Sequence, residues 1–216
     1  FSGYTNIAIN GGTIVNHLRG GWKYPKCDVY TIEHGINDWG HSATIGKLED
    51  YVNGGTYASF YGRYRLLISD KIRAANPKAK IVLCTPRKAY GFRGYLPDHS
   101  YEPKKGIYLK EYAEAVRAIA AYEGFEVADF FNECGEDEEL ESLSIDKALH
   151  PNDAGYARMA KTLIPALTRA IDGAKPNQRA VVWEKRRQET LEWFAENFYG
   201  RAPVGRPKDI EFDMNQ

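Results

Sequence analysis

The sequence alternates short β-type apolar runs with longer segments of helical periodicity, and this alternation limits the fold more than any other feature. Four runs predict strands, at residues 4–9, 27–33, 80–84 and 125–130. Four segments predict helices, at residues 13–18, 56–75, 107–122 and 152–170. Strands that alternate with helices form right-handed βαβ units. The sequence therefore predicts an α/β fold, a three-layer αβα sandwich with a mostly parallel sheet.

Three polar loops follow or approach the predicted strand ends, where parallel sheets bind ligands. Asn10-Gly11-Gly12 can bring a backbone N–H close to a ligand, and the amide of Asn37 can donate to a developing oxyanion. His150 is held extended by the following proline and suits a general base. Each loop also has a purely structural interpretation. Gly11 can belong to an ordinary glycine turn, Asn37 to an Asx turn, and His150 can be a surface histidine.

Composition excludes several classes of function. Lys plus Arg and Asp plus Glu both total 29, so no basic excess favours nucleic acid. Mean hydropathy is −0.53, and no apolar run approaches the roughly 18–20 residues that span a membrane. Cys27, Cys84 and Cys134 stand far apart, and Cys27 and Cys84, which lie at or inside apolar runs, are expected to be buried small hydrophobes. His34 and His41 are not predicted to bind a metal, because no carboxylate–histidine cluster lies near them. A flavodoxin-like binding domain is a weaker alternative, since the sequence has no phosphate-binding loop with the right spacing.

Together, three of these segments resemble blocks of a known family. Residues 6–13, His34-Gly35-Ile36-Asn37-Asp38 and His150-Pro151-Asn152 look like three of the four blocks of the SGNH (GDSL-like) hydrolases. The resemblance covers about residues 4–170 and implies an SGNH/flavodoxin-like sandwich with serine esterase activity and no cofactor. It implies that Gly11 and Asn37 form the oxyanion hole and that His150 activates the serine.

The fourth block, Gly-Asp-Ser, does not occur in the sequence. In the resembled family it lies on the first strand, some tens of residues before the glycine block. We therefore expect the first strand and its nucleophilic serine to be absent from this chain, and the chain by itself to be inactive. A missing N-terminal segment or a partner chain would then fill the gap in the sheet. The alternative is a catalytically inactive SGNH-like binding or scaffolding module.

The acid of the catalytic triad also departs from the family pattern. The family usually places an aspartate three residues before the histidine, and that position is Lys147 here. Asp146 lies four residues before His150 and could reach it through a one-residue bulge. Its carboxylate would orient the imidazole and stabilise the imidazolium. A backbone carbonyl could serve instead.

An acylated carbohydrate is the expected substrate. The loop 87–106 is long, polar and rich in aromatic and cationic residues, which fit either a carbohydrate-facing wall or anchors for the loop. The predicted contributors are Arg87, Tyr90, Phe92, Arg93, Tyr95 and Tyr101. Asp38, Trp39 and His41, beside Asn37, are also predicted to bind substrate.

The alternation of predicted strands and helices ends near residue 174, and a strongly helical run follows. We therefore predict a first domain at 1–174 and a further segment at 175–216. Residues 183–189 and 198–203 resemble the start of α/β-hydrolase carbohydrate esterases of the glucuronoyl and acetylxylan type. This resemblance implies a second esterase domain, polysaccharide deacetylation and a secreted or periplasmic location. The alternative is a terminal helix packed on the first domain.

Overall fold

The computed structural model describes residues 3–21, 23–89, 101–102, 107–135 and 137–173. The strands are β1 (Val29–Glu33), β2 (Lys80–Cys84), β3 (Tyr101–Glu102), β4 (Ile107–Tyr108) and β5 (Glu126–Ala128). The helices are α1 (Ile14–Arg19), α2 (Ile36–Gly40), α3 (Leu48–Val52), α4 (Phe60–Leu66), α5 (Leu109–Glu123), α6 (Phe130–Glu133), α7 (Asp137–Leu140) and α8 (Asp153–Asp172). A π-helical segment, Leu67–Arg73, continues α4.

The strand β2 lies at the centre of a parallel sheet with the order β1-β2-β5. Successive side chains of a strand point to opposite faces of its sheet. Ile81 and Leu83 accordingly join one apolar cluster, and Val82 and Cys84 join another. Both faces of β2 are therefore buried, which explains why its sequence is a continuous apolar run rather than an alternating one.

One face of the sheet is covered by α1, α4 and α5. Phe60 of α4 contacts Tyr64 and Tyr112 edge-on, with ring centroids 5.0 and 4.9 Å apart. The hydroxyl of Ser59 accepts a hydrogen bond from the Gly62 amide and caps α4. The predicted helix over 56–75 is thus present, but it begins at Phe60 and becomes π-helical at Leu67.

The opposite face is covered by α8. Ala166 and Ala170 of this helix lie in one apolar cluster with Val82, Cys84 and Ala128 of the sheet. Small side chains at these positions allow the helix to approach the strands closely. Helices on both faces of a parallel sheet confirm the predicted three-layer αβα fold.

The predicted strand over residues 4–9 is wrong. Residues 3–9 have no strand pairing in the part of the chain that the structure describes, and Tyr4 is 88% exposed. A strand is stabilised by its hydrogen-bonded neighbours, so a β-type run without a paired strand has little to hold it extended.

Two other boundaries differ from the predictions. The polar segment after β1, expected to be a loop, contains the short helix α2. The predicted strand over 125–130 ends at Ala128, because Asp129 accepts a hydrogen bond from the Asn132 amide and caps α6. The acidic run over 133–141 contains α7.

Several predictions lie outside the described residues, namely most of the loop 87–106 and the segment 175–216. The domain boundary at 174 stays a prediction; the described elements belong to one unit that ends at Asp172. No helix in the described part of the chain combines the length and apolarity needed to cross a bilayer. The same residues hold no group of three or more His, Cys, Asp or Glu side chains suited to a metal ion.

Candidate active site

His150 and Asp146 are joined by a hydrogen bond between His150 Nδ1 and Asp146 Oδ2, 2.6 Å long. The other oxygen of Asp146 accepts from the backbone amides of Ala148, Leu149 and His150, at 3.1, 2.8 and 3.1 Å. Burial opposes ionisation of Asp146, but the hydrogen bonds from the Leu149 amide and the His150 ring outweigh it. They hold the pKa of the carboxyl below its usual range. The carboxylate is therefore fixed against the imidazole.

The four-residue spacing between Asp146 and His150 is accommodated at Lys147. This residue has a φ of +62°, in the left-handed region that residues other than glycine rarely adopt. The loop closes through a hydrogen bond of 2.8 Å from the Ile145 amide to the His150 carbonyl. The left-handed residue thus supplies the one-residue bulge that allows Asp146 to reach His150.

Arg87, just beyond β2, anchors this loop. Its Nη1 donates to the carbonyl of Leu143 (3.3 Å), and its Nη2 donates to the hydroxyl of Ser144. The residue is 5% exposed, so its guanidinium offers almost no surface to a ligand. The prediction that Arg87 binds substrate stays a prediction, and the burial of its side chain gives that prediction no support. Arg87 instead connects the carboxyl end of β2 to the loop that carries Asp146 and His150.

Gly11 lies in a tight turn at the start of α1. Its φ of +67° is one that glycine adopts without strain. The Gly12 amide donates to the Ile9 carbonyl (2.9 Å), and the amide and hydroxyl of Thr13 both donate to the Asn16 side-chain oxygen at 2.8 Å. Within the described residues the Gly11 N–H has no hydrogen-bond acceptor, so it can donate to a ligand.

Asp38, in the first turn of α2, joins the two segments that carry Gly11 and Asn37. Its Oδ2 accepts from the Ile14 amide (3.4 Å), and its Oδ1 lies 3.8 Å from Nη1 of Arg63. Asp38 is completely buried, and burial raises the pKa of its carboxyl to about 6. The prediction that Asp38 binds substrate stays a prediction, and it gains no support here because the carboxylate has no exposed surface.

Asn37 precedes this buried aspartate and is half-buried. Its backbone carbonyl accepts from the His41 amide at 2.9 Å, which belongs to the end of α2. In the described part of the chain its side-chain amide makes no hydrogen bond. Because Asp38 bonds to Ile14, three residues after Gly11, the two candidate oxyanion donors lie on segments that are tied together.

Trp39 and His41 differ in exposure. Trp39 is 1% exposed, and its indole Nε1 donates to the Ile107 carbonyl (3.2 Å). Its predicted substrate contact stays a prediction and, as for Asp38, burial gives that contact no support. His41 is exposed and lines a pocket beside Gly11. Tyr90 and Arg93, the remaining predicted substrate-binding residues, lie outside the described residues.

The pocket beside Gly11 has a volume of about 470 Å³, within the range of roughly 300–1,000 Å³ usual for small-molecule sites. Its lining is mostly polar and comes from the Gly11 turn, α1, the segment after α2, and α4. The lining residues are Gly11, Thr13, Val15, Asn16, His41, Ser42, Ala43, Thr44 and Arg63.

The sequence pattern of the GDSL-like lipase/acylhydrolase family matches residues 1–158, well over half of the chain. The chain belongs to this family. The resemblance on the Gly11, Asn37 and His150 segments is confirmed at the level of the family, and with it a place among the ester hydrolases. No curated protein matches the sequence.

Solved structures of the same kind share the fold. A possible lipase from Chitinophaga pinensis is 28% identical, with a TM-score of 0.56 over 76% of this chain and 81% of that one. A protein from Lactobacillus plantarum is 20% identical, with a TM-score of 0.58 over 72% of each chain. The second likeness shows the fold alone.

Two residues of this GDSL-like site were missed by sequence reasoning. Arg63 follows Phe60 by three residues and precedes Leu67 by four, so helical periodicity places it on the apolar face of its helix. A charged residue on an apolar helix face needs a partner, so the position of Arg63 could have indicated a role in the site. Ser42 lines the pocket with a φ of +52°, and nothing in the sequence indicates that backbone conformation.

Proposed function

We propose that this GDSL-like chain carries most of the active site of a serine esterase that removes acyl groups, acetyl above all, from a carbohydrate. The hydrogen bond of 2.6 Å between His150 and Asp146 carries the proposal. An imidazole oriented by a carboxylate is the arrangement that activates a serine hydroxyl in acyl transfer.

The proposed roles follow from this geometry. His150, with Nδ1 held by Asp146, uses Nε2 to take the proton of the nucleophile and later gives it to the leaving alcohol. Asp146 keeps the imidazole in the required tautomer and stabilises the imidazolium. The Gly11 N–H and the Asn37 amide donate to the oxyanion of the tetrahedral intermediate, and neither has another acceptor among the described residues.

A carbohydrate substrate is supported by the lining of the pocket beside Gly11. His41 and Thr44 offer hydrogen-bonding groups suited to sugar hydroxyls. The resemblance of the segment 175–216 to the start of a carbohydrate esterase points in the same direction. We include in the proposal that this segment leads into a second esterase domain.

The nucleophile is proposed to come from a strand outside this chain that pairs with β1. The sequence has no Gly-Asp-Ser block, and β1 forms an edge of the sheet within the described residues. Along β1, Tyr30 and Ile32 are buried whereas Thr31 and Glu33 are exposed. A strand added at this edge would end beside the carboxyl end of β1, close to Asn37.

Acetyl release from acetylated xylo-oligosaccharides tests the proposal. The 216-residue chain is expected to release no acetate, and a longer protein that includes a Gly-Asp-Ser strand is expected to turn over. In that protein His150→Ala should lower kcat about 10²–10⁴-fold, because the general base is lost. Lys161→Ala is the control and should leave kcat within about twofold, since this exposed residue lies on α8, outside the loop. Turnover by the pure 216-residue chain would overturn the assignment of the nucleophile.

The absence of the Gly-Asp-Ser block also favours a second candidate, an inactive GDSL-like module that binds carbohydrate. The same assay separates the two. If the protein encoded around this segment has no Gly-Asp-Ser block and releases no acetate, the binding module is the correct function. Intact mass measurement of the purified chain adds an independent check, because a retained complementary strand would appear as an extra peptide.

A further inference from the structure

The side chain of Arg63 is held at the pocket beside Gly11 with most of its donors unused. Its Nε donates to the Tyr57 carbonyl (2.8 Å), and its Nη1 lies 3.8 Å from Asp38, too far for a hydrogen bond. Within the described residues the Nη1 and Nη2 groups therefore have no hydrogen-bond acceptor. The side chain is 17% exposed, so the guanidinium is fixed rather than freely solvated.

Arg63 and Asp38 match in charge, but the hydrogen-bonding groups that face each other are incompletely satisfied. Asp38 is fully buried behind Arg63, and its Oδ1 makes no hydrogen bond. A guanidinium presents parallel N–H groups that fit the two oxygens of a carboxylate. A carboxylate entering the pocket would thus satisfy donors that Asp38 leaves without partners.

The remaining lining is suited to a hydroxyl-rich ring. His41 and Thr44 are exposed in the pocket, and Asn16 uses its side-chain oxygen for Thr13, which leaves the amide nitrogen to donate. Gly11, the candidate oxyanion donor, lies on the same wall. A ring bound here would lie beside the Gly11 N–H, the candidate oxyanion donor.

We propose that this pocket is a subsite for a sugar that carries a carboxylate, a uronic acid, and that Arg63 determines this specificity. The inference rests on the proposed carbohydrate esterase function and names its substrate class. Arg63 binds the carboxylate, and His41, Thr44 and Asn16 bind ring hydroxyls. The subsite selects esters on acidic polysaccharides over esters on neutral ones.

The test is a titration of the 216-residue chain, observed by amide NMR and by calorimetry. Methyl β-glucuronide is the probe, methyl β-glucoside is its neutral counterpart, and inorganic phosphate is the simple anion. The glucuronide is expected to shift the amide signals of Gly11, Ser42 and Thr44, and to bind at least tenfold more tightly than the other two. Arg63→Gln should weaken glucuronide binding at least tenfold. Arg65→Gln is the control, because Arg65 pairs with Glu123 and does not line the pocket.

A second variant keeps the test decisive where Arg63→Gln impairs folding. Thr44→Glu leaves the Arg63–Asp38 pair intact and places a negative charge on the exposed pocket wall, so glucuronide binding should fall at least tenfold. Equal binding of glucuronide and glucoside would overturn the proposal, and equal binding of phosphate would reduce the pocket to a simple anion site. These measurements need no turnover. Binding without esterase activity in the longer protein would overturn only the proposed function, and activity without binding would overturn only the subsite.

Discussion

The two sides of the candidate active site are held in different ways. The base side, with Asp146 and His150, is a short loop in which Asp146 bonds to residues that are close in sequence, and Arg87 anchors the loop from beyond β2. The oxyanion side, with Gly11 and Asn37, depends on the buried carboxylate of Asp38, which links segments far apart in sequence.

This difference separates local from long-range control of geometry. A loop that satisfies its own amides retains its conformation when distant parts of the chain change. A buried carboxylate that holds two elements together is costly to leave without partners. We therefore expect the oxyanion side to be the more fragile of the two, and the following predictions test that comparison.

The largest effect is expected at Asp38. Asp38→Ala leaves the Arg63 guanidinium and the Ile14 amide without their partner, so the free energy of unfolding should fall by about 3 kcal/mol. Urea denaturation measures it. Glu141→Gln is the control, because it removes only an exposed pair with Lys147 and should cost less than about 1 kcal/mol. Equal losses in the two variants would remove the distinction between the two sides.

A smaller and more local effect is expected at Arg87. Arg87→Met removes hydrogen bonds to the Leu143 carbonyl and the Ser144 hydroxyl, and should lower the free energy of unfolding by about 1–3 kcal/mol. Hydrogen exchange should accelerate at the Ile145 and Asn152 amides, which close the loop. Arg169→Met, which removes an ion pair between α8 and Glu126 of β5, serves as the control and should leave these two amides unchanged. Faster exchange throughout the sheet would contradict a local anchoring role.

Lowering the pH should destabilise the oxyanion side through His34, which precedes Gly35 at the start of α2. Burial and the neighbouring His17 lower the pKa of His34 to about 3. A lowered histidine pKa gives stability that is complete above pH 6.5, the unfolded value, and is lost as pH falls toward 3. The wild type should therefore lose about 1–2 kcal/mol between pH 7 and 5 relative to His34→Gln.

The comparison with His34→Gln is needed because Asp38 titrates in the opposite sense. Burial raises its pKa to about 6, so its contribution to stability improves as pH falls. Asp146, with a lowered pKa, acts in a separate window: its contribution is present above pH 3.8 and is lost only below it. A difference between wild type and His34→Gln that does not change with pH would contradict the prediction.

The smallest effect is expected at Lys147. Lys147→Gly relieves the left-handed conformation and should raise the free energy of unfolding by about 0.5–1 kcal/mol. Lys147→Val, which is β-branched, should lower it. Thermal denaturation of the pair measures both signs, and stabilisation by valine would show that the bulge has another conformation.

The sequence predicts a strand well when the hydrophobicity of the strand's own residues determines its bounds. The bounds of β2 are those of the apolar run Lys80–Cys84, because both faces of a central strand are buried. Residues 4–9 have a similar β-type composition, but their conformation depends on a neighbouring strand. The pattern of residues 4–9 does not show whether a neighbouring strand is present to pair with them.

The candidate site was predictable in its residue types and less so in their exposure. The loops of His150, Asn37 and Gly11 predict their roles, and the hydrogen bond between Asp146 and His150 agrees with the predicted reach of Asp146. Polar character at Asp38 and Arg87 indicated ligand binding, whereas both side chains are buried and hold loops in place. Burial depends on what packs around a residue, which a single sequence does not state.

The left-handed residue between Asp146 and His150 has a consequence for how such enzymes are recognised. A search pattern that requires an aspartate three positions before the histidine passes over this chain. Allowing one inserted residue, when the insertion can take a positive φ, restores the pairing at 2.6 Å. Surveys that score this motif by backbone conformation as well as by letter spacing will therefore recover members that strict patterns discard as lacking their acid.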